Sequence, residues 1–416
     1  MKDKVATFAI AILIMLLFQA AYFTNFRFTC FGSNETIIVD GGSIQAAINN
    51  ANEGDIIFVK AGNYSESIVV NKTVSIIGEN AEKTIIDGNG IAEYIFHVIA
   101  SNVIIENFTL RSTNPDPNSY SYAVGTYYVV NVTFKKLIIT DVVIGFDIRS
   151  SNFTRIFGNQ VEACKSWALR MREASCNNTV VDNLFENNPT AIYFADSKSK
   201  FSMIYHNSFI NNSNNVVGYA VNYFDNGYPS GGNYWSNQTA PDLKCGSNQD
   251  EIGSDGILDE SYLGWDRYPF AHPIAILEIP VSGEIFEVKV STNSSINFCV
   301  FNPEERSLNL FLGGIAGTTG SCRISIPKEL LSCDSLLQWN VTLSDSEHLT
   351  YLASEDEERT YLYFTYNQLN DVEIEIKGIN AVPEFPHVFM LLVLSGVMFA
   401  SCIFCFFKKR FLTEYT

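Results

Sequence analysis

The chain has 416 residues, of which 47% are hydrophobic and 17% are charged, and its formal net charge is -18. This surplus of acidic side chains excludes a nucleic-acid partner, because binding to phosphates requires a basic face. The same acidity favours solubility or the binding of cations at the surface.

The first apolar segment, Val5 to Phe23, follows Lys2 and Lys4. Its length and flanking charges are typical of a signal peptide or of an uncleaved N-terminal anchor. Ala20-Ala21 offers only a weak cleavage site, so both alternatives remain open. Residues 1–25 are therefore assigned to targeting or anchoring.

A short helix is predicted over residues 43–51, and short β-rich runs follow it at 54–59, 62–66 and 74–78. No ten-residue amphipathic pattern interrupts the β-rich runs further along the chain. A helix in this position would cover the first coil of a solenoid, whose core would otherwise be exposed.

From about Ser101 to Phe224 the chain repeats itself, and Asn159, Asn183 and Asn207 follow each other at intervals of 24 residues. Such a period predicts a solenoid, and short strands joined by polar corners predict a parallel β-helix. The recurring Asn could form a ladder of stacked side-chain amides, or it could simply tolerate left-handed turns.

The order of these motifs resembles the opening of pectin-esterase and pectate-lyase-like β-helices, and is most similar to the NosD-like β-helix family of archaeal cell surfaces. The resemblance runs from about Thr36 to Pro273. Its far end is marked by Gly-Asn-Tyr-Trp-Ser at 232–236, Asp-Gly-Ile-Leu-Asp at 255–259 and Asp-Arg-Tyr-Pro at 266–269. It implies a right-handed parallel β-helix over 36–273. A copper role is not expected, because copper sites need clustered His, Met or Cys.

Period-two alternation in short strands predicts an antiparallel β-sandwich over residues 274–380. An apolar run from Val388 to Phe407 follows Pro-Glu-Phe-Pro and precedes three basic residues. This run is long enough to span a bilayer, and the basic residues favour a cytoplasmic end. The predicted fold is therefore all-β between two transmembrane-type helices, with an anchor at 383–410. We expect a cell-membrane protein with an extracellular ectodomain.

The C-terminal anchor resembles the PEF-type sorting signal of archaeal surface proteins, which implies processing by an archaeosortase-type enzyme. A plain transmembrane anchor is the alternative, and the physical pattern supports both equally well.

One aligned column of the repeats predicts the interior of the β-helix, because alternate residues of a strand point to opposite faces. Its inward members are Phe146, Ile148, Leu169, Met171, Ile192, Phe194, Val221 and Tyr223. Their neighbours should form an outward strip that mixes carboxylates, guanidiniums, an amide and an aromatic ring. The candidate glycan-binding residues in this strip are Asp147, Arg149, Arg170, Arg172, Glu173, Tyr193, Asp196, Asn222 and Asp225.

Three functions are compatible with such a strip: a solvated face with ion pairs, a carbohydrate-binding surface, or a catalytic surface. We expect a surface scaffold, adhesion or carbohydrate-binding module whose partners are cell-surface polysaccharide or other envelope proteins. The alternative is a polysaccharide lyase, epimerase or hydrolase, in which Arg170 would bind a substrate carboxylate and Asp147 or Tyr193 would transfer protons. No residue is assigned a catalytic role on the sequence alone.

An acidic, glycine-containing segment near residue 255 suggests calcium, which prefers several oxygen ligands in a flexible loop. The candidate ligands are Asp250, Asp255 and Asp259, although an exposed acidic loop without an ion is the alternative. No other cofactor is expected.

Asn-x-Ser/Thr triplets predict glycosylation of an extracellular chain, although an Asn- and Thr-rich sequence also produces them by chance. The candidates are Asn34, Asn63, Asn71, Asn107, Asn131, Asn152, Asn177, Asn211, Asn237, Asn293 and Asn340. Disulfides persist outside the cell, so at least one bridge among Cys299, Cys322 and Cys333 is plausible.

Overall fold

The computed structural model of the protein describes residues 34–90, 93–113, 121–218, 220–343 and 347–382. Within these ranges the fold is all-β apart from one short α-helix and one turn of 3₁₀-helix. Across the same ranges, every helix is too short or too polar to span a bilayer. The two predicted membrane segments lie outside the described residues.

The N-terminal part is a parallel β-helix of the right-handed type, in which three parallel sheets share one core. Sheet 1 contains Thr36–Val39, Ile56–Val59, Ser75–Gly78, Ile104–Glu106, Thr133–Lys135, Arg155–Phe157, Thr179–Val181 and Met203–Tyr205. Sheet 2 contains Ile68–Val70, Tyr94–Val98, Tyr122–Tyr127, Ile144–Arg149, Trp167–Arg172, Thr190–Phe194 and Asn214–Val217. Sheet 3 contains Gly62–Tyr64, Thr84–Asp87, Thr109–Arg111, Ile138–Thr140, Gln160–Glu162, Leu184–Glu186, Ser208–Ile210 and Tyr234–Trp235.

The predicted interior column is confirmed for three of its four coils. Phe146 pairs in register with Leu169, which pairs with Ile192, and all three side chains are completely buried. The fourth member was predicted wrongly, because Ile192 pairs with Val216 whereas Val221 is 64% exposed. The last strand of sheet 2 ends at Val217, so the Ala-Val-Asn-Tyr-Phe run at 220–224 falls in a loop and Tyr223 is exposed as well.

The predicted Asn ladder is present at the corner between sheets 1 and 3. The Asn159 amide donates to the Asn183 side-chain oxygen at 2.9 Å, and Asn183 donates to Asn207 at 2.9 Å. Asn207 continues the ladder to Asn233 at 3.0 Å. Each amide also donates to a backbone carbonyl of the preceding coil, so these buried polar groups are satisfied and fix the register of the coils.

Both ends of the β-helix are covered. The helix α1, Ile44–Asn50, begins at Ser43, whose hydroxyl accepts from the Ala46 amide, and it buries Ile44 and Ile48 against the first coil. At the other end, Trp235 stacks between Phe209 and Tyr262 at centroid distances of 4.3 and 4.1 Å. These contacts confirm the expected helical cover and give the Gly-Asn-Tyr-Trp-Ser motif a structural role.

The C-terminal part is a β-sandwich of two five-stranded antiparallel sheets, here sheets 4 and 5. Sheet 4 contains Ile274–Val281, Glu284–Thr292, Thr319–Pro327, Arg359–Asn367 and Tyr351–Glu355. Sheet 5 contains Ser295–Asn302, Ser307–Gly313, Val372–Lys377, Asn340–Leu343 and Glu347–His348. Short pieces complete the fold: the pairs Lys244–Cys245 with Glu251–Ile252 and Leu331–Ser332 with Asn380–Ala381, and the 3₁₀ turn Leu336–Gln338.

The sandwich packs on the β-helix at the corner between sheets 1 and 3. The Lys289 ammonium contacts buried Asp182 at 2.8 Å and the His206 ring at 3.0 Å, and Lys136 pairs with Glu278 at 2.5 Å. Within the described ranges, no hydrogen bond or ion pair joins the sandwich to a strand of sheet 2.

The plausible disulfide among the late cysteines is absent from the structure. Cys299, Cys322 and Cys333 are all free, as are the other described cysteines. Cys322 lies in sheet 4 and is completely buried in the sandwich core, where desolvation raises the pKa of its thiol.

Candidate functional site

The outer face of sheet 2 brings most of the predicted strip together. Asp147 pairs in register with Arg170, which pairs with Tyr193, while Arg149 pairs with Arg172. Neighbouring strands lie about 4.8 Å apart, so these side chains form adjacent rungs of one surface.

Asp147 is the centre of a buried ion cluster rather than an exposed carboxylate. Its side chain is 2% exposed, and its two oxygens accept from Arg170 Nε at 2.6 Å and Arg172 Nη2 at 2.7 Å. Arg170 also donates to the Tyr122 hydroxyl at 3.1 Å and is itself buried. The prediction that Asp147 and Arg170 are solvent-accessible is therefore wrong. Both are already bound to each other, and neither is available to a substrate.

Arg149 lies at the exposed side of the same cluster. Its Nε is 2.7 Å from a Glu173 carboxylate oxygen, and its guanidinium stacks over the Tyr127 ring at 4.6 Å. The contact with Arg149 lowers the pKa of Glu173, so this carboxylate is charged at neutral pH. Asp196, in the next coil, accepts a hydrogen bond from the Glu173 backbone amide. With 35% of its side chain exposed, Arg149 is thus more accessible than Arg172, at 22%.

A continuous aromatic stack, which the sequence analysis missed, runs along this face. Tyr94 stacks on His97 at 4.5 Å and on Tyr122 at 4.7 Å, and Trp167 stacks on Tyr193 at 4.9 Å. The Arg170 guanidinium joins the two halves, because it lies 5.4 Å from the Tyr122 ring and 5.1 Å from the Trp167 ring. We call this set the sheet 2 platform: His97, Tyr94, Tyr122, Arg170, Trp167 and Tyr193.

The pairing register of the sheet 2 strands shows that the aromatic residues absent from the predicted strip lie at one constant offset from it. Tyr94, Tyr122 and Trp167 each lie three positions before the outward row that holds His97, Gly125 and Arg170. The row of outward residues predicted from the repeats begins at Asp147, and the column three positions before it was not predicted.

A groove of about 470 Å³ opens at the N-terminal end of the platform. Its walls are formed by residues of sheet 2 and of the segments before its strands: Ser67, Val69, Glu93, Tyr94, His97, Thr126, Tyr127 and Arg149. Burial lowers the pKa of His97, so its imidazole is neutral at pH 7. Burial, with the neighbouring Tyr122, raises the pKa of Tyr94 to about 12, so its hydroxyl keeps its proton. The groove therefore combines flat rings, a neutral imidazole, a phenol and a cation.

Two predicted strip residues lie apart from the platform. The Asn222 side chain accepts from the Ser202 amide in the loop after sheet 2, at 2.8 Å. Asp225 is buried and pairs with Arg267 at 2.6 Å near the C-terminal cover of the β-helix. Their displacement follows from the same register error that displaced Val221.

The acidic loop does not gather the three predicted calcium ligands. Among the described residues, no group of three or more His, Cys, Asp or Glu side chains could hold a metal ion. Asp255 is buried and accepts from the Gln249 amide and the Ile257 backbone, while Asp259 accepts from the backbone amides of Leu243 and Lys244. Asp250 is exposed. Desolvation raises the pKa of Asp242, which the sequence analysis did not single out, to about 7.

The glycosylation candidates lie outside the strands of sheet 2, and Asn71 directly follows the strand Ile68–Val70. Eight of them are exposed: Asn34, Asn63, Asn71, Asn131, Asn177, Asn211, Asn237 and Asn293. Asn107, Asn152 and Asn340 are half-buried. None of the eleven is in a strand of sheet 2.

No protein-family model and no curated protein matches this chain. Among solved structures it is similar to a PL6-family alginate lyase, with a TM-score of 0.29 and 12% identity, covering 48% of this chain and 38% of that one. It is also similar to a capsular polysaccharide depolymerase, the tailspike protein gp49 of Acinetobacter baumannii phage Fri1. The TM-score is 0.17 and the sequence identity 10%, and the match covers 85% of this chain and 87% of that one. For the glycan biofilm-modifying enzyme WceF of Pantoea stewartii, the TM-score is 0.12 and the sequence identity 12%. That match covers 78% of this chain and 55% of the WceF chain.

Proposed function

We propose that this protein is a membrane-anchored cell-surface protein of the NosD-like type whose sheet 2 platform binds carbohydrate. The observation that carries the proposal is the stack from His97 to Tyr193, with a groove at one end that Tyr94, His97 and Arg149 line. The anchor segments, and the processing of the C-terminal segment, belong to the same proposal and rest on the sequence pattern.

The chemistry of the platform suits a sugar chain. Binding sites for small polar ligands combine apolar or aromatic walls with a few placed polar groups that fix orientation. Here the rings of Tyr94, Trp167 and Tyr193 supply flat surfaces, and Arg149 and Glu93 supply a cation and an anion at the groove. A planar guanidinium also recognises carboxylates better than an ammonium does.

The placement of the platform supports the same proposal. The sandwich occupies the corner between sheets 1 and 3, and the glycosylation candidates lie outside the strands of sheet 2. A face whose strands have no hydrogen bond or ion pair to the sandwich, within the described residues, is suited to contact an extended polymer. The proposed partner is therefore a polysaccharide of the cell envelope or its surroundings.

The test is a glycan array probed with the purified full-length protein, followed by affinity measurements on the sugars that bind. Trp167→Ala and Tyr193→Ala each remove one half of a stacked pair, and we expect about tenfold weaker binding, equivalent to about 1.4 kcal/mol. Tyr223→Ala is the matched control, because Tyr223 is half-exposed but lies off the platform. Unchanged affinity in both platform variants would show that the face is only solvated, and an empty array would favour a scaffold or adhesion role without a sugar ligand.

A further inference from the structure

A buried lysine and a buried aspartate meet across the interface between the two domains. Lys289 belongs to the sheet 4 strand Glu284–Thr292, and Asp182 directly follows the sheet 1 strand Thr179–Val181. The Nζ atom of Lys289 lies 2.8 Å from Oδ2 of Asp182, and the two side chains are 15% and 2% exposed. Oδ1 of the same carboxyl group is buried and has no hydrogen-bond partner among the described residues. An amine and a carboxyl group are therefore held in contact away from water.

The imidazole of His206 contacts both members of this pair. Its Nδ1 atom lies 3.0 Å from Lys289 Nζ and 3.7 Å from Asp182 Oδ1. Its Nε2 atom lies 2.9 Å from the carbonyl oxygen of Ser230, which can only accept, so Nε2 carries the proton and Nδ1 presents a lone pair to the amine. Burial lowers the pKa of His206 well below the usual value, so the ring is neutral at pH 7. His206 is thus placed to act as a base for Lys289.

The repeat of the β-helix explains why Asp182 and His206 lie together. They directly precede the ladder residues Asn183 and Asn207, which are 24 residues apart. Both have a left-handed backbone conformation, with φ of 51–61° in round terms: 61° for Asp182 and 57° for His206. They therefore occupy the same corner position in successive coils, and Lys289 of the sandwich reaches both.

The surroundings favour neutral groups over ions. The rings of Tyr205 and Phe270 contact the His206 ring at centroid distances of 4.8 and 5.8 Å. Desolvation raises the pKa of Asp182, which favours its protonated form. A proton can therefore pass from the ammonium of Lys289 to the carboxylate more easily than it would in water, where both ions are hydrated.

The site also has room for a small leaving molecule. Lys289 and His206 line an adjoining cavity of about 20 Å³. A cavity of about 10–15 Å³ is enough to hold one water molecule. Fixed contact between two reacting groups replaces their chance encounter in solution, which accelerates a reaction between them.

We propose that Lys289 and Asp182 condense to a side-chain amide, an isopeptide bond that joins the sandwich covalently to the β-helix, with His206 transferring protons between the two groups. The bond would be a modification of the protein by its own residues. It goes beyond the proposed carbohydrate-binding function and does not depend on it, because the pair lies at the corner between sheets 1 and 3 and not on the sheet 2 platform.

The reaction balances without a cofactor, an oxidant or a second substrate. One proton passes from the Lys289 ammonium to the Asp182 carboxylate, which leaves an amine beside a carboxylic acid. The nitrogen lone pair attacks Cγ of Asp182, and a C–N bond forms as the electrons of the C=O double bond move to oxygen. His206 Nδ1 takes a second proton from the nitrogen and returns it to the hydroxyl group. The C=O bond re-forms, the C–OH bond breaks and one water molecule leaves, while one hydrogen stays on the amide nitrogen.

The test looks for the link in folded, full-length protein. The protein is denatured and digested, and its peptides are identified by mass spectrometry. We expect a branched peptide that contains both Lys289 and Asp182 and whose mass is smaller than the sum of its two parts by one water molecule. Lys136 and Glu278 form an internal control, because they are 2.5 Å apart across the same interface but 29% and 39% exposed. Their two peptides should stay separate.

Variants assign the roles. Lys289→Arg keeps a cation opposite Asp182, but a guanidinium does not lose its proton, so the branched peptide should disappear. Asp182→Ala removes the carboxyl carbon and should abolish the link as well. His206→Gln should slow formation of the link by about 100-fold, the usual contribution of a general base. His272→Gln is the matched control, because His272 also lies at the interface but bonds to Ser321 instead, and the rate should not change.

The rate is measured on protein that is kept unfolded in urea from its synthesis until dilution into buffer, because an unfolded chain does not hold the two groups together. Finding both segments only as separate peptides in the folded parent protein would overturn the proposal. A link that persists in Lys289→Arg, or that joins Lys136 to Glu278 to the same extent, would overturn it as well. Formation at an unchanged rate in His206→Gln would overturn the role of His206 and leave the bond itself in place.

Discussion

Replacing Asp147 by Asn is expected to destabilise the β-helix by about 3 kcal/mol. The variant keeps the size of the side chain but removes the charge that holds Arg170 and Arg172. Breaking a buried ion pair costs about 3–5 kcal/mol, because the remaining charge stays buried without a partner. The lower end applies here, since the amide oxygen can retain one hydrogen bond and the Arg172 side chain, 22% exposed, can turn towards solvent.

The assay is urea denaturation followed by tryptophan fluorescence. The signal comes from four residues, of which Trp167 and Trp235 lie in the β-helix, Trp265 packs on Phe224 and Trp339 lies in the core of the sandwich. Glu173→Gln provides the comparison, because Glu173 is an exposed partner of Arg149 and exposed ion pairs contribute about 1 kcal/mol or less. A loss of less than about 1 kcal/mol in Asp147→Asn would refute the reasoning that the buried cluster is a structural unit.

Three further predictions concern the domain interface and the acidic loop. Lys289→Met should destabilise the protein by about 3 kcal/mol and speed proteolysis between the domains, and adding Asp182→Asn should recover most of the loss. Burial lowers the pKa of His206 well below 6.5. As the pH falls, the unfolded chain therefore binds a proton before the folded chain does, and the free energy of unfolding should fall below pH 6.5 by up to about 1.4 kcal/mol per pH unit. In thermal melts at about pH 5–7, His206→Gln should reduce this dependence on pH. An ion held by Asp250, Asp255 and Asp259 would raise the melting temperature, so an unchanged melt in chelator would contradict the predicted calcium site.

The fold was predictable because the dominant pattern is local and repeated. Leu169 and Ile192 take the same inward position in successive coils, and the ladder residues Asn159, Asn183 and Asn207 mark the same corner at a constant interval. The prediction failed where the repeat ends. The alternation at 220–224 looks like a further coil, but the strand has already ended at Val217, and no local pattern marks that end.

The site was predicted only in part, because exposure depends on contacts between coils. Alternation places Asp147 and Arg170 on the outer side of sheet 2, and they are there. It cannot show that the two bind each other and are covered by the rings of Tyr122 and Trp167. Likewise, a lone histidine such as His97 carries no signal until the register places Tyr94 and Arg149 around the same groove.

The length of the platform leads to a last prediction, about the size of the ligand. From the strand of Tyr94 to the strand of Tyr193 there are four coil steps of about 4.8 Å, or roughly 19 Å. A monosaccharide could touch only one or two rungs, whereas an extended oligosaccharide could contact the groove, Trp167 and Tyr193 together. Each added aromatic contact is worth about 0.5–1.5 kcal/mol. Affinity for fragments of one polymer should therefore rise with length by about 2- to 12-fold per contacted ring, and then level off once the platform is filled. Titration of a size-fractionated oligosaccharide series would measure this, and affinity independent of length would confine binding to the groove alone.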